Sequence, residues 1–330
     1  MSEARPFASQ TGKSPSEKKR VTLRDVAEEA GVSLKTASNV INHTGRMTDA
    51  TREKVQKVVD RLGYRINVSA RNLNRGRTGF ITLAVPCLTA PYLAGLANRV
   101  IDIARIYDYS VYVTTYAEGT SRGAASLLRN FNATVSDGMI LSLSEMEDLT
   151  PEDLSVDFPL VCVGARFTHH KADHVTPDDV QSARLATEYL LDRGVSRPAV
   201  VGSRTDFAQL STLRDVTEGN AQLRMRGVFE ACCDRNIALA TELMPNVGHD
   251  WSIGSGARNM QRIIDSGVPF DGVIALNDQL AMGALSTLAA NGISVPDQVQ
   301  VIGFDNNEES AYFQPPLTTM DSCLLYTSPS

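Results

Sequence analysis

Three short helical patterns within residues 21–64 constrain this 330-residue chain more than any other feature. Thr22 with Asp25 three positions on has the form of a capping box, and Leu23, Val26, Ala27 and Ala30 then fall on one helical face. Gly31 supplies a tight turn. Ser33 is a good N-cap for a second helix running to Ile41, whose Ala37, Val40 and Ile41 face inward while Leu34, Lys35, Thr36, Ser38 and Asn39 remain for contacts. Thr48 restarts the chain, and Val55, Val58, Val59 and Leu62 give a third helix its own apolar stripe. This is how a helix-turn-helix offers side chains to the major groove of DNA. A three-helix packing module that binds no nucleic acid has the same spacing.

Charge favours the first reading. Residues 1–78 hold 16 Lys and Arg against 8 Asp and Glu, a net +8, and the totals of 32 and 38 leave 16 against 30, a net −14, for the rest. A basic end suits phosphate neutralisation, and an acidic body is repelled by the duplex, which favours attachment by that one end. Residues 1–20 are polar, with Ser, Pro and charge, and read as a disordered tail rather than a signal peptide.

From Phe80 the pattern changes. Phe80–Val85, Val111–Val113, Gly138–Leu141, Leu160–Val163, Ala199–Val201, Val273–Leu276 and Val299–Ile302 are short apolar runs of the buried-strand type. Helical stripes lie between them, the cleanest being Leu93, Leu96, Ala97, Val100, Ile101 and Ala104, and Gly194, Gly267 and Gly292 sit where helices should end. The alternation predicts parallel sheets with helices on both faces, in a segment long enough for two lobes.

Specific motifs then carry a resemblance. Val21–Ser33, Thr36–Asn42, Thr51–Val55 and Leu62–Tyr64 resemble the headpiece of the lactose-repressor/galactose-repressor family of transcriptional regulators. Thr89–Tyr92, Arg224–Gly227, Asn277–Ala284, Val301–Asp305 and Pro315–Thr319 follow in the order such repressors show, over almost the whole chain. The resemblance implies an all-α helix-turn-helix headpiece followed by an α/β periplasmic-binding-protein-like core of two doubly wound parallel-sheet lobes. The corresponding divisions are a tail over 1–20, the DNA-binding domain over 21–64, a hinge over 65–78 and the effector-binding and dimerisation core over 79–320.

The same resemblance implies roles. Leu34, Lys35 and Asn39 take the base-reading positions; many relatives have Arg where this chain has Asn39, and Asn suits adenine N6 and N7 where Arg prefers guanine. Ser33, Thr36, Ser38, Asn42, Arg46, Thr48 and Thr51 suit phosphate oxygens, with simple helix capping the alternative for Ser33 and Thr48. The linker Arg65–Arg77 holds Asn67 as a candidate N-cap for Val68–Leu73, a helix too short to persist alone in water. In the family such a hinge helix pairs with that of a second subunit and inserts a leucine into the minor groove; Leu73 is the matching residue and Ala70 its packing neighbour. Ile66 stands where relatives usually have Pro.

Ligands of open α/β sheets sit beyond the carboxyl ends of the strands. Asn277 and Asp305 follow predicted strands, and with Arg224 and Trp251 they resemble the family's effector contacts; Pro91, Tyr92 and Arg166 complete the candidate set. Asn277 as a plain helix cap and Trp251 as a plain core residue are the alternatives. Asp, Asn, Arg and an aromatic suit a carbohydrate better than a purine, with a nucleoside or sugar phosphate as the second choice. Two departures stand out. Gly164 and Ala165 precede Arg166 where the family strand often ends in Asp, which removes one polar contact. Residues 321–330 do not resemble the family's continuation, and are expected to be a non-native or truncated end.

These features predict a cytoplasmic, nucleoid-associated regulator, most simply a repressor, that binds a palindromic operator as a homodimer or as a dimer of dimers. An effector-binding module without operator specificity is the weaker form of this reading. An enzyme is disfavoured: the chain holds no Gly-rich phosphate loop, no nucleophile elbow and no zinc motif. His169, His170 and His174 read as a solvated loop rather than a metal site. No metal or cofactor is expected. Cys87, Cys162, Cys232, Cys233 and Cys323 show no repeated spacing and read as reduced thiols. An exported sugar receptor lacks its leader here, and no run approaches the roughly 18 apolar residues of a membrane span.

Overall fold

The structure, a computed structural model, describes residues 21–42, 44–65, 77–120, 122–204 and 210–322. The described residues fall into two compact units divided between Arg77 and Thr78. The tail, the hinge residues Asn67, Ala70 and Leu73, and Cys323 with the rest of the last eight positions lie outside the described residues.

In the first unit α1 (Leu23–Ala30), α2 (Leu34–Ile41) and α3 (Asp49–Leu62) enclose a small core of Val26, Ala30, Val40, Val55 and Val58. Local chemistry sets each boundary. Thr22 and Asp25 form a reciprocal capping box, with Thr22 N donating to Asp25 Oδ2 at 2.7 Å and Asp25 N to Thr22 Oγ1 at 3.3 Å. Gly31 closes α1 at φ 59°, a left-handed conformation that costs a glycine little. Ser33 accepts from Thr36 N at 3.1 Å and Thr48 from Thr51 N at 3.3 Å, so both are the N-caps their positions predict.

The second unit holds two parallel sheets. Its first lobe comprises β1 (Phe80–Val85), α4 (Pro91–Ile106), β2 (Ser110–Thr115), α5 (Ala124–Arg129), β3 (Met139–Ser142), α6 (Pro151–Leu154), β4 (Leu160–Val163) and β5 (Asp173–Val175). The strand order is β2-β1-β3-β4-β5, with Leu83 opposite Val113 and Ile140. The second lobe comprises α7 (Asp179–Leu191), β6 (Pro198–Val201), α8 (Asn220–Asp234), α9 (Ile253–Asp265), β7 (Gly272–Ala275), α10 (Asp278–Ala290), β8 (Gln300–Phe304) and β9 (Thr318–Met320), in the order β6-β7-β8-β9. Successive strand residues point to opposite faces, so this sheet separates two cores. Val200, Ile274 and Ile302 pack with Leu190 and Met225; Ala199, Val201, Val273 and Val301 pack with Met260, Leu280 and Leu288.

Two strands go beyond the seven that the sequence patterns predict. β5 and β9 are three residues each, largely polar, and held by pairing to a sheet edge rather than by any apolar run of their own. His174 therefore lies on a strand instead of in the expected solvated loop, and its Nε2 donates to Gly164 O at 2.5 Å. Cys87, Cys162, Cys232 and Cys233 are free thiols, and burial pushes those of Cys162 and Cys232 up to about 12. None of the described helices is long and apolar enough to cross a membrane.

Helix packing in the second lobe depends on missing side chains. A Cβ on Gly227 would collide with Val180 O, and one on Gly256 with Leu280 O. α8 can thus lie directly on α7, and α9 on α10. The first contact matters for the site, because it brings Arg224 on α8 beside Asp179 on α7.

Candidate effector cleft and DNA-reading helix

On α2 the residues opposite buried Ala37 and Val40 form one outward face. Leu34 is half exposed and Lys35 fully on the surface, with Ser38 and Asn39 one turn later. Asn42 donates from Nδ2 to Ser38 O at 2.9 Å and to Ser38 Oγ at 3.2 Å, closing the helix end. Thr44 Oγ1 donates to Asn39 Oδ1 at 3.5 Å, which leaves the Asn39 amide N–H groups unused by that contact. The Ser33 and Thr36 hydroxyls pair at 2.8 Å, as do those of Thr48 and Thr51, so in each pair one hydrogen is spent and one remains to be offered outward. On α3, Arg61 pairs with Glu29 and Lys57 with Glu53, whereas Lys35 and Arg46 form no ion pair among the described residues. The same holds for Arg24 on α1 and for Arg52 and Lys54 on α3, so uncompensated positive charge is spread over all three helices of the unit among the described residues.

The second unit contains a cavity of about 440 Å³ at the carboxyl ends of both sheets. Pro86, Ser142 and Val163 reach it from β1, β3 and β4, while Asn277 and Asp305 reach it from β7 and β8. Pro91 and Tyr92, at the start of α4, form part of the wall. Strand ends converge here because parallel strands release their loops on one side of the sheet.

Arg224 is the central cation. Its Nε donates to Asp179 Oδ1 at 2.7 Å and its Nη1 to Leu276 O at 2.5 Å; Asp305 Oδ1 stands 3.7 Å from Nη2, an ion pair without a direct hydrogen bond. Its guanidinium lies 4.8 Å over the Phe304 ring and 5.9 Å from that of Trp251. Burial works against its charge, but Asp179 and Asp305 more than offset this and hold its pKa above the ordinary value. Burial likewise pushes the Asp305 carboxyl up to about 7, with Arg224 pulling the other way and Asp278 adding to the rise. Tyr92 is pushed up to about 12, by burial first and then by Asp305.

Backbone strain fixes Asp305. Its φ of 103° is rare for a residue with a Cβ, and is sustained by Asp305 N donating to Met320 O at 2.9 Å. Buried Asp278 pins the same loop: Asn307 N, Ser310 Oγ and Thr319 Oγ1 donate to it at 2.8, 2.9 and 2.6 Å.

The open alternatives for Asn277 and Trp251 turn out to coexist. Asn277 Oδ1 accepts from Leu280 N at 2.8 Å as the cap of α10, and its Nδ2 donates to Trp251 O at 3.2 Å, while the residue also lines the cavity. Trp251 packs against both cores of the lobe and lines the cavity, and its buried Nε1–H has no hydrogen-bond partner among the described residues. A buried donor without an acceptor costs about 1–3 kcal/mol.

Arg166 departs from expectation. After β4 the chain turns at Gly164 (φ 117°) and is tied by Gly219 N donating to Ala165 O at 2.7 Å, which carries Arg166 past the cavity. It faces Glu218 at 3.5 Å and Asp148 at 3.8 Å and lines a separate, smaller pocket. Sequence reasoning missed Asp179, Asp278, Asn220 and Glu145. Asp179 and Asp278 each open a helix, where an acidic residue is unremarkable; only their burial marks them.

Residues 22–67 match the pattern of the "Bacterial regulatory proteins, lacI family" and residues 187–323 that of the "Periplasmic binding protein-like domain". An HTH-type transcriptional repressor PurR from Vibrio parahaemolyticus is 31% identical over 316 residues, covering 91% of this chain and 86% of that protein. The chain belongs to the lacI family. This regulator is also 28% identical, at the same coverage, to the HTH-type transcriptional regulator RegA of Clostridium saccharobutylicum. Among solved structures, a LacI-type transcription regulator from Bifidobacterium animalis subsp. lactis is 33% identical with a TM-score of 0.68, over 74% of this chain and 86% of that one. The Lac repressor dimer bound to operator shares the fold at a TM-score of 0.78 and 24% identity, over 93% of this chain and 88% of that one. The regulator is thus a DNA-binding transcription factor with an α/β ligand-binding-type core, and these relatives are regulators rather than enzymes.

Proposed function

We propose that the regulator is a cytoplasmic, nucleoid-associated repressor that binds a palindromic operator as a homodimer and is released or retained by an uncharged carbohydrate in the 440 Å³ cavity. The observation that carries the effector reading is the Trp251 wall. An aromatic ring shares the cavity wall with the Asp305 carboxyl and the Asn277 amide, so an apolar sugar face and several hydroxyl groups find partners together. One relative in structure, 26% identical with a TM-score of 0.63, is described as a CelR–cellobiose complex. The repressor sense is supported by the PurR repressors among the relatives.

Leu34, Lys35 and Asn39 read base edges in this proposal, while Ser38, Arg46 and the hydroxyls of the Ser33–Thr36 and Thr48–Thr51 pairs hold phosphates; Asn42, whose amide donates to Ser38, closes the helix instead. Homodimerisation is supported by exposed apolar side chains: Ile103, Ile106 and Tyr107 at the end of α4, and Tyr112 and Val113 on β2, an edge strand. Two-fold symmetry in the protein implies palindromic symmetry in the operator. Effector binding changes how the first lobes meet and so biases the Leu73 hinges, a reciprocal coupling of two sites.

Anisotropy of a labelled palindromic operator, titrated with the regulator in the presence and absence of a panel of neutral sugars, tests the whole reading. At least one sugar is expected to shift operator affinity while quenching the single tryptophan, Trp251. Quenching by none of them, with operator binding intact, would remove the carbohydrate.

A further inference from the structure

Glu145 lies three residues beyond the end of β3, in the first lobe, and lines the cavity. Its carboxylate is engaged entirely by the second lobe. Oε1 accepts from Ala221 N, in the first turn of α8, at 2.6 Å, while Oε2 lies against the guanidinium of Arg204, which follows β6, as an ion pair without a hydrogen bond. Both side chains are removed from water, Glu145 at 11% exposure and Arg204 at 10%. Arg204 Nε, also buried, has no hydrogen-bond partner among the described residues.

An arginine fork and a helix N-terminal amide converging on one point make an anion site. Here the anion is the protein's own. The other arginine and the other carboxylates of the lining offer no substitute for it: Arg224 is committed to Asp179 and Asp305, Asp250 to Arg258 at 2.8 Å, and Glu118 adds further negative charge. We propose that Glu145 is a specificity-determining residue, a built-in carboxylate that fills the cleft's anion-accepting corner and so excludes effectors carrying a phosphate or carboxylate there. A ligand anion could enter only by displacing a buried carboxylate from one charge-assisted amide hydrogen bond and one ion pair, and uncharged ligands meet no such competition. The inference rests on the cavity being the effector site.

The test uses the full-length regulator and inorganic phosphate or sulfate as probe, read by the fluorescence of Trp251, the lone tryptophan in the cavity wall. Wild type is expected to give no response. Glu145→Gln, which keeps shape and an acceptor for Ala221 N but frees Arg204, is expected to bind the anion about 10-fold or more tightly, the gain from one charge-assisted hydrogen bond. Glu145→Ala is expected to behave likewise, and adding Arg204→Gln to either should abolish the gain. Equal anion binding by wild type, a folded Glu145→Gln without the gain, or failure of both single variants to fold would each overturn the proposal. If neutral sugars leave operator binding unchanged while Glu145→Gln still captures phosphate, the carbohydrate reading falls and this one stands.

Discussion

Asp179 and Arg224 form a buried ion pair between α7 and α8, 2.7 Å from Oδ1 to Nε, with side chains 2% and 7% exposed. Asn220 Nδ2 donates to the other Asp179 oxygen at 3.0 Å, so the carboxylate is satisfied on both sides. Such a pair contributes little net stability against an apolar pair of equal volume, but it is costly to break from one side. Its consequence here is positional: the guanidinium is held at the cavity with one edge left for Asp305.

Asp179→Ala should therefore lower the unfolding free energy of the regulator by about 3–5 kcal/mol, the cost of leaving a buried cation short of its partner. Urea denaturation measures it. A loss below about 0.5 kcal/mol would show that water replaces the carboxylate at no cost.

Gly227→Ala tests the packing that creates this pair. The added methyl meets Val180 O and the Ala183 side chain, so α8 must move away from α7. A loss of about 1–3 kcal/mol is expected, together with weakened effector binding, because Arg224 is carried with the helix. Thermal unfolding and tryptophan titration report the two effects separately.

The Asp305 carboxyl, raised to about 7 by burial against an ordinary 3.8, introduces a pH dependence. A folded pKa above the unfolded one means that this group's contribution to stability is complete below about pH 3.8 and is lost as pH rises through about 7. Asp305→Asn removes the titration but keeps the shape. Its stability relative to wild type should improve steadily as pH is raised from about 4 to about 8. A pH-independent difference, measured by denaturation across that range, would contradict the assignment.

Two substitutions in the first unit should separate reading from gripping. Asn39→Ala is expected to cost about 1–3 kcal/mol on the cognate operator and to relax preference at one base position. Arg46→Ala should weaken binding to all sequences alike and reduce the slope of log affinity against log salt by about 1. Anisotropy titrations at several salt concentrations, on cognate and scrambled duplexes, distinguish them.

Leu73→Ala removes the proposed minor-groove wedge. Operator affinity should fall while the isolated effector response of Trp251 persists; unchanged affinity in a gel shift would leave the hinge proposal without support.

Much of this was legible in order along the chain. Capping chemistry is local, so Thr22, Ser33 and Thr48 announced their helices and the structure places all three as caps. Apolar strand runs were equally local, and seven of them correspond to strands. β5 and β9 escaped because three residues, two of them polar, carry no pattern, and only a neighbouring edge makes them strands. Asn277, Asp305, Arg224 and Trp251 were placed by motif and meet at one cavity, whereas Arg166 was carried elsewhere by the turn at Gly164.

The sequence by itself determined the helix boundaries, the alternation of strand and helix, the polarity between a basic leading segment and an acidic body, and the family. Tertiary structure alone decided that Asp179 neutralises Arg224 and that Glu145 occupies Arg204. Both are contacts between residues far apart in the chain, 45 and 59 positions respectively. Hydrogen-bonding and periodicity rules act over a few residues, but a buried charge is governed by whatever else is buried beside it, and that is known only once the helices have packed.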